Sequence, residues 1–348
     1  MLKKKPRVCV AICLISLLML SACSKSGESE ELARTAVETV QRSITKEIKD
    51  EVTINGKALI IDAPVELGNI LEVSEIQLSF SEERLSRIVD DLIYSKYPNA
   101  IKDNSDPYVT NWISSPEAVL SAYLSAKKTG QVDYIDRSRD LECNLYETEH
   151  LLEDGFITEL IPKGISLSAQ AASEVATDFL TEYSCLDFTP WNILAANSNS
   201  STSGYYYISM EASFNGIPIC HKSNQGEAGI NAYVLLSNEG IFQFGGMLLL
   251  EPVEIKSIEQ LVPLCEIIGR VKENFSLIFS GDRIEIDKIA LKYMPEQTSE
   301  NTFCLRPAWC FSCTENRTNS DVNGKTEETK LRWEYVFYAD DGSFCSLL

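Results

Sequence analysis

From Ser168 to the C-terminus the chain reads twice as one apolar helical face followed by strands of alternating polarity, and this repetition most narrows the folds open to it. Ser168 caps a helix whose Ala172, Val175, Ala176, Phe179 and Leu180 form one stripe. Strand-like runs follow near 192–196, 205–214, 217–220, 230–237 and 241–250, with Asn215-Gly216 and Asn238-Glu239-Gly240 as turns. The pattern restarts at Ser257, with Gln260 three residues on and a helix running to about Phe275, interrupted by Pro263. Strands are then expected at 283–294, 302–312, 331–338 and 343–347. The fold class this implies is α+β, with antiparallel sheets each wrapped on a helix in two related units, 166–254 and 255–348. A sheet covered by a helix on one side leaves its other face free to dock a partner. Trp309, Trp333 and the run Tyr205-Tyr206-Tyr207 are the aromatic residues expected there, although alternation lets only some of them share it.

The region 29–165 is expected to be a smaller α+β part. Ala33, Val37, Val40, Ile44 and Ile48 recur at helical spacing from Glu28 to Asp50. "VTINGKALIIDA" reads as a hairpin turning on Asn55-Gly56, and "LEVSEIQLSF" as a strand. "SEERLSRIVDDLIYSKYP" places Leu85, Ile88, Val89 and Leu92 on one helical face and stops at Pro98. Ser115-Pro116-Glu117 opens a further expected helix through Lys128, with Gly130 beyond its end.

The first residues read as an address. Lys3, Lys4, Lys5 and Arg7 precede Val8–Leu20, 13 residues with Ser16 as the polar interruption. A membrane span wants about 20 apolar residues, so this run suits a secretory signal, 1–22. Its end, Leu20-Ser21-Ala22-Cys23, resembles the bacterial lipobox. That resemblance implies cleavage before Cys23, a diacylglyceryl group on its sulfur as the lipid-attachment site, and a short tether, 23–28, on the extracytoplasmic face of the cell membrane.

Without 1–22 the chain carries 27 Lys and Arg against 51 Asp and Glu. So acidic a surface is repelled by phosphate backbones and argues against a nucleic-acid partner. Eight cysteines remain beyond Cys23, an even number in a compartment that permits disulfides, and spacing does not settle their connectivity. "AWCFSC" contains the Trp-Cys-x-x-Cys spelling of a dithiol site at Cys310 and Cys313. A redox cysteine, however, takes its low pKa from a helix N-terminus, and here a polar turn, "TENRTNSDVNG", follows instead. On a strand the two thiols would point to opposite faces. "NSDVNGKTEETK" begins like a calcium loop but ends on Lys330 where a bidentate Glu is needed. Only His150 and His221 are present, too few for a histidine metal cluster, and Cys220-His221 are neighbours that a strand would splay apart. No catalytic residue, metal ligand or cofactor site is therefore expected.

In the second half "GYYYISMEASFNGIPI" and "LKYMP…LRPAW…YVFYADDGSF" resemble the paired and closing strands of PepSY-type modules and of extracytoplasmic regulators that restrain a cell-wall-controlling histidine kinase. With the lipobox and "VTINGKALIIDAPVEL", the chain is similar to uncharacterised lipoproteins of clostridia-like Firmicutes. The expectation is a non-enzymatic, membrane-anchored lipoprotein that binds or restrains another membrane or cell-wall protein. The alternatives from other classes are a surface thiol-disulfide oxidoreductase using Cys310 and Cys313, and an uptake-system substrate-binding lipoprotein.

Overall fold

The structure is a computed structural model. It describes residues 48–54, 56–66, 73–114, 122–136, 148–150, 152–153, 156–157, 161–162, 164–197, 204–221, 229–258, 260–278, 283–320 and 326–347. Cys23, the signal, the tether and most of the expected first helix lie outside these residues; its last three positions, 48–50, are strand.

In chain order the elements are β1 (Ile48–Ile54), β2 (Lys57–Ala63), β3 (Val65–Glu66), β4 (Ser74–Phe80), helix α1 (Glu82–Val89), β5 (Ile101–Asp103), β6 (Val109–Ile113), β7 (Ala122–Lys127) and β8 (Val132–Asp136). Then come β9 (Thr148–His150), β10 (Leu152–Glu153), β11 (Phe156–Ile157), helix α2 (Ala169–Tyr183), β12 (Asp187–Asn197), β13 (Gly204–Phe214), β14 (Ile217–Pro218), β15 (Asn231–Ser237), β16 (Gly240–Gly246) and β17 (Leu250–Ser257). Helix α3 (Leu264–Ile278), β18 (Arg283–Ser299), β19 (Thr302–Ser320), β20 (Thr326–Tyr338) and β21 (Phe344–Leu347) close the order.

The α+β expectation of two helix-wrapped sheets does not hold. The chain is mostly β, and apart from the two-stranded pair β10–β11 its described strands merge into one ten-stranded and one nine-stranded sheet, the latter of mixed direction. The physical reason is that a four-stranded sheet ends in unpaired edges, and here strands from the N-terminal region take them. The outer edge of β16 pairs with β8, which continues through β7 and β6 to β5. β18 accepts β2 in parallel, Arg283–Ile286 alongside Ala58–Ile61, and then β3. Of the helix expected from Ser115 through Lys128, residues 115–121 lie outside the described residues and the rest is corrected. Residues 122–127 are β7, because Ala122, Leu124 and Ala126 are buried at a period of two. The helix expected from Ser257 begins seven residues later, since Ser257 closes β17 and α3 starts after Pro263, whose carbonyl accepts from the N–H groups of Glu266 and Ile267.

Contacts divide the chain into two compact units, both discontinuous: 1–74 with 257–293 and 306–348, and 75–256 with 294–305. In the first, β1 and β2 form the expected hairpin with Gly56 at φ +79°. Helix α3 lies against this hairpin, burying Ile267, Val271 and Phe275. β19 and β20 run side by side from Ala308↔Tyr338 to Ser320↔Thr326. At the base of that ladder Arg306 sits 3.8 Å over the Tyr338 ring and gives both Asp340 oxygens 2.9 Å contacts.

The second unit is built on the ten-stranded sheet, ordered β5-β6-β7-β8-β16-β15-β13-β12-β9 with β14 on β13. Ser81 caps α1, accepting from Arg84 N–H at 3.4 Å, and Leu85, Ile88 and Val89 are buried as their spacing predicts. A π-helical turn, Asp90–Tyr94, extends it towards Pro98. Ser168 caps α2, accepting from Ala171 N–H at 3.2 Å. This helix packs on β12, β13 and β15 through Ala172, Ala176 and Leu180, while Val175 at its flank is 41% exposed.

Candidate functional site

Strand pairing converts the sequence of the ten-stranded sheet into two contrasting rows, because directly opposed residues share a face. One row runs Trp112↔Leu124↔Tyr134↔Phe244↔Val234↔Ile208↔Ile193 across seven strands. Every member is buried. This row lies on the α2 side, where the Phe179 ring meets Phe244 edge-on at 4.9 Å and Tyr134 stacks on Phe244 at 5.3 Å.

One residue along each strand the chemistry reverses. Asn111↔Ser125↔Asp133↔Gly245↔Tyr233↔Ser209↔Asn192 forms a polar row on the opposite face, each member but Gly245 only half buried and Gly245 carrying no side chain. Seven strands at about 4.8 Å spacing make this strip about 29 Å long. It is wide enough for an extended partner and far too long for a pocket around one small molecule.

The residues of the strip hold one another in place. Asp133 Oδ2 accepts from Gln131 Nε2 at 2.9 Å, and Gln131 Oε1 accepts from Lys127 Nζ at 2.9 Å. Burial raises the Asp133 carboxyl above its ordinary range, while Lys127, Gln131 and Tyr233 pull it back. Tyr233 stacks on Tyr207 with ring centroids 5.8 Å apart and planes 8° from parallel, and Gln243 Nε2 donates to its hydroxyl at 3.5 Å. Burial raises the phenol of Tyr233 as well. Tyr123 donates to Asn111 Oδ1 at 2.7 Å. Gly245 makes the centre possible: a Cβ there would overlap Asp133 Oδ1 and stand 2.6 Å from Tyr233 Cε1.

At the β12 end the pairing register shifts between Pro190 and Asn192, leaving Trp191 as an extra residue that is 50% exposed. Its ring lies 5.0 Å from that of His221, whose Nε2 is 3.6 Å from Glu211 Oε1. Glu211 pairs with Asn231, in line with the polar row. On the other side of the sheet an open groove of about 490 Å³ is lined by Gln170, Ser173, Glu174, Thr177, Asp178 and Pro190. Two carboxylates and no cation line it, so it offers an anion nothing.

The aromatic residues expected on one free face are split. Tyr206 faces α2 and donates to the Leu167 carbonyl at 2.9 Å, whereas Tyr205 is fully buried with Ala196, Leu235 and Phe242. Tyr205 and Tyr207, two apart on β13, share the face opposite α2: the buried cluster around Tyr205 covers that end of it, and Tyr207 packs half buried against the cluster beside the polar row. Trp309 is 3% exposed, and Trp333 is half buried opposite Cys313. Cys310 and Cys313 are buried in the middle of β19, opposite Val336 and Trp333, and three positions apart on a strand they point to opposite faces. Burial pushes the Cys313 thiol up to about 12, and its Sγ donates to the Phe311 carbonyl at 3.2 Å. Among the described residues no three His, Cys, Asp or Glu side chains gather as a metal site, and no helix is long and apolar enough to cross a membrane.

No protein-family model matches the chain, and no curated protein does. Among solved structures, the crystal structure of an uncharacterized protein from Eubacterium rectale ATCC 33656 is similar, with TM-score 0.57, 15% identity, 88% of this chain covered and 98% of that one. At this identity the likeness shows a common fold. The resemblance to an uncharacterised Firmicutes protein therefore stands at the level of architecture.

Proposed function

We propose that the protein is a non-enzymatic binding protein, anchored through acylated Cys23 at the extracytoplasmic face of the cell membrane, that docks a neighbouring membrane or cell-wall protein on the open face of the ten-stranded sheet. The observation that carries the reading is the polar row from Asn111 to Asn192, half buried at every position that bears a side chain while the row beside it is wholly buried. A surface that is hydrogen-bonding and preorganised by its own contacts suits an extended partner. The kinase-restraining version of this role rested on the helix-and-sheet repeat, and the merged sheets remove that support.

The oxidoreductase alternative fares worse. Cys310 and Cys313 lie inside a strand, and a thiol held near 12 supplies almost no thiolate at neutral pH. An uptake-type receptor is disfavoured by the large antiparallel sheet. Pull-down from crosslinked cells, comparing the wild type with a Ser125→Arg/Ser209→Arg variant, tests the reading. A partner recovered by the wild type and lost by an equally folded variant supports it, and equal recovery refutes it. Labelling with a fatty-acid analogue tests the anchor, and equal labelling of Cys23→Ala contradicts it.

A further inference from the structure

Beyond that reading, we infer that β17 is a self-pairing edge through which two copies of this chain associate. β17 pairs with β4 alone among the described strands, and none of them takes its other side. Six consecutive residues of this strand, Pro252–Ser257, are exposed, including Val253 at 58% and Ile255 at 54%. Open edges bearing β-branched residues template further strand pairing unless something blocks them.

Sequence symmetry selects the occupant. Two identical antiparallel strands related by a twofold axis perpendicular to their sheet must pair one residue with its own copy. Centring on Glu254 or on Lys256 sets like charges directly opposite, which is destabilising. Centring on Ile255 sets Glu254 opposite Lys256 of the second copy, twice, with Ile255 against Ile255 and Val253 opposite Ser257. Of these registers, this one satisfies both charges. Pro252 lacks an N–H and ends the ladder there, so the paired segment is Val253–Ser257. Lys256 is positioned for the exchange: its Nζ is 3.6 Å from Glu254 Oε2 and 3.6 Å from Glu75 Oε1, with the side chain 53% exposed.

A five-residue ladder is a small contact, so the dimer is weak in solution and is read by sedimentation equilibrium on the full chain in detergent at concentrations up to about 1 mM. The wild type is expected to dimerise reversibly. Lys256→Glu, which turns both cross-strand attractions into repulsions, is expected to weaken association about tenfold or more. The double variant Glu254→Lys/Lys256→Glu restores opposite charges and is expected to recover wild-type association. Matching thermal melts confirm that all three chains fold. A wild type that stays monomeric throughout overturns the inference. So does a dimer indifferent to Lys256→Glu, or one that the double variant fails to restore.

Discussion

Replacing Phe244 by Ala tests the division of the ten-stranded sheet into a packed face and an open one. The Phe244 side chain is fully buried, and its ring contacts Phe179 edge-on at 4.9 Å and Tyr134 in a stack at 5.3 Å. Truncating a buried Phe to Ala costs about 3–5 kcal/mol through lost transfer energy and the cavity left behind. Its two aromatic pairs, each worth about 0.5–1.5 kcal/mol beyond area burial, place this site at the upper end of that range, about 5 kcal/mol. That is a large share of the stability of about 5–15 kcal/mol typical of a folded protein. On the other face Ser209→Ala removes a half-buried hydroxyl from the polar row and should change stability by less than about 0.5 kcal/mol. Chemical unfolding with urea measures both. A Phe244→Ala loss below about 2 kcal/mol, or a Ser209→Ala loss equal to it, would refute the two-faced reading.

Gly245→Ala should destabilise the second unit by about 1–3 kcal/mol, because the added Cβ displaces Asp133 and Tyr233; an unchanged urea midpoint would contradict this. Asp133 has a folded-state pKa raised chiefly by burial, so its ionisation opposes folding. Wild-type stability is therefore expected to fall behind that of Asp133→Asn as pH rises through that pKa, above the ordinary 3.8, and a gap constant between about pH 3 and 7 would contradict the burial argument. Cys313, with its thiol near 12, should resist thiol reagents at about pH 8 until the chain is unfolded, which a timed thiol titration with and without denaturant reads directly.

Local structure was legible wherever one period dominated. Ser168 with the stripe Ala172, Ala176 and Leu180 announced α2, and alternation through Tyr206, Ile208, Met210 and Ala212 announced β13. Asn215-Gly216 marked its turn, with φ of 51° and 74°. What failed was the assignment of strands to sheets, since a pattern such as "VDYID" in β8 fixes which residues face inward but not which edge the strand will join. The segment through Ala122–Lys127 misled for a different reason. A Pro after Ser followed by Glu is a helix-start signal, and the two-residue period of "AYLSAK" that overrides it is only six residues long. The open face was missed for the same cause. Asn111, Ser125, Asp133, Ser209 and Asn192 are unremarkable polar residues on five separate strands, and only the pairing register lines them up. Large aromatic residues drew the expectation instead, and most of those went into the core.

The proposed partner lies along the polar row of the ten-stranded sheet. The most direct test of that placement is a photocrosslinking amino acid at Tyr207, beside that row, and separately at Val175, exposed on the helix-covered side, with adducts compared in living cells. One discrete adduct is expected from position 207, disappearing in the Ser125→Arg/Ser209→Arg background, and none from position 175. Adducts from 175 alone, or equally from both positions, would contradict it.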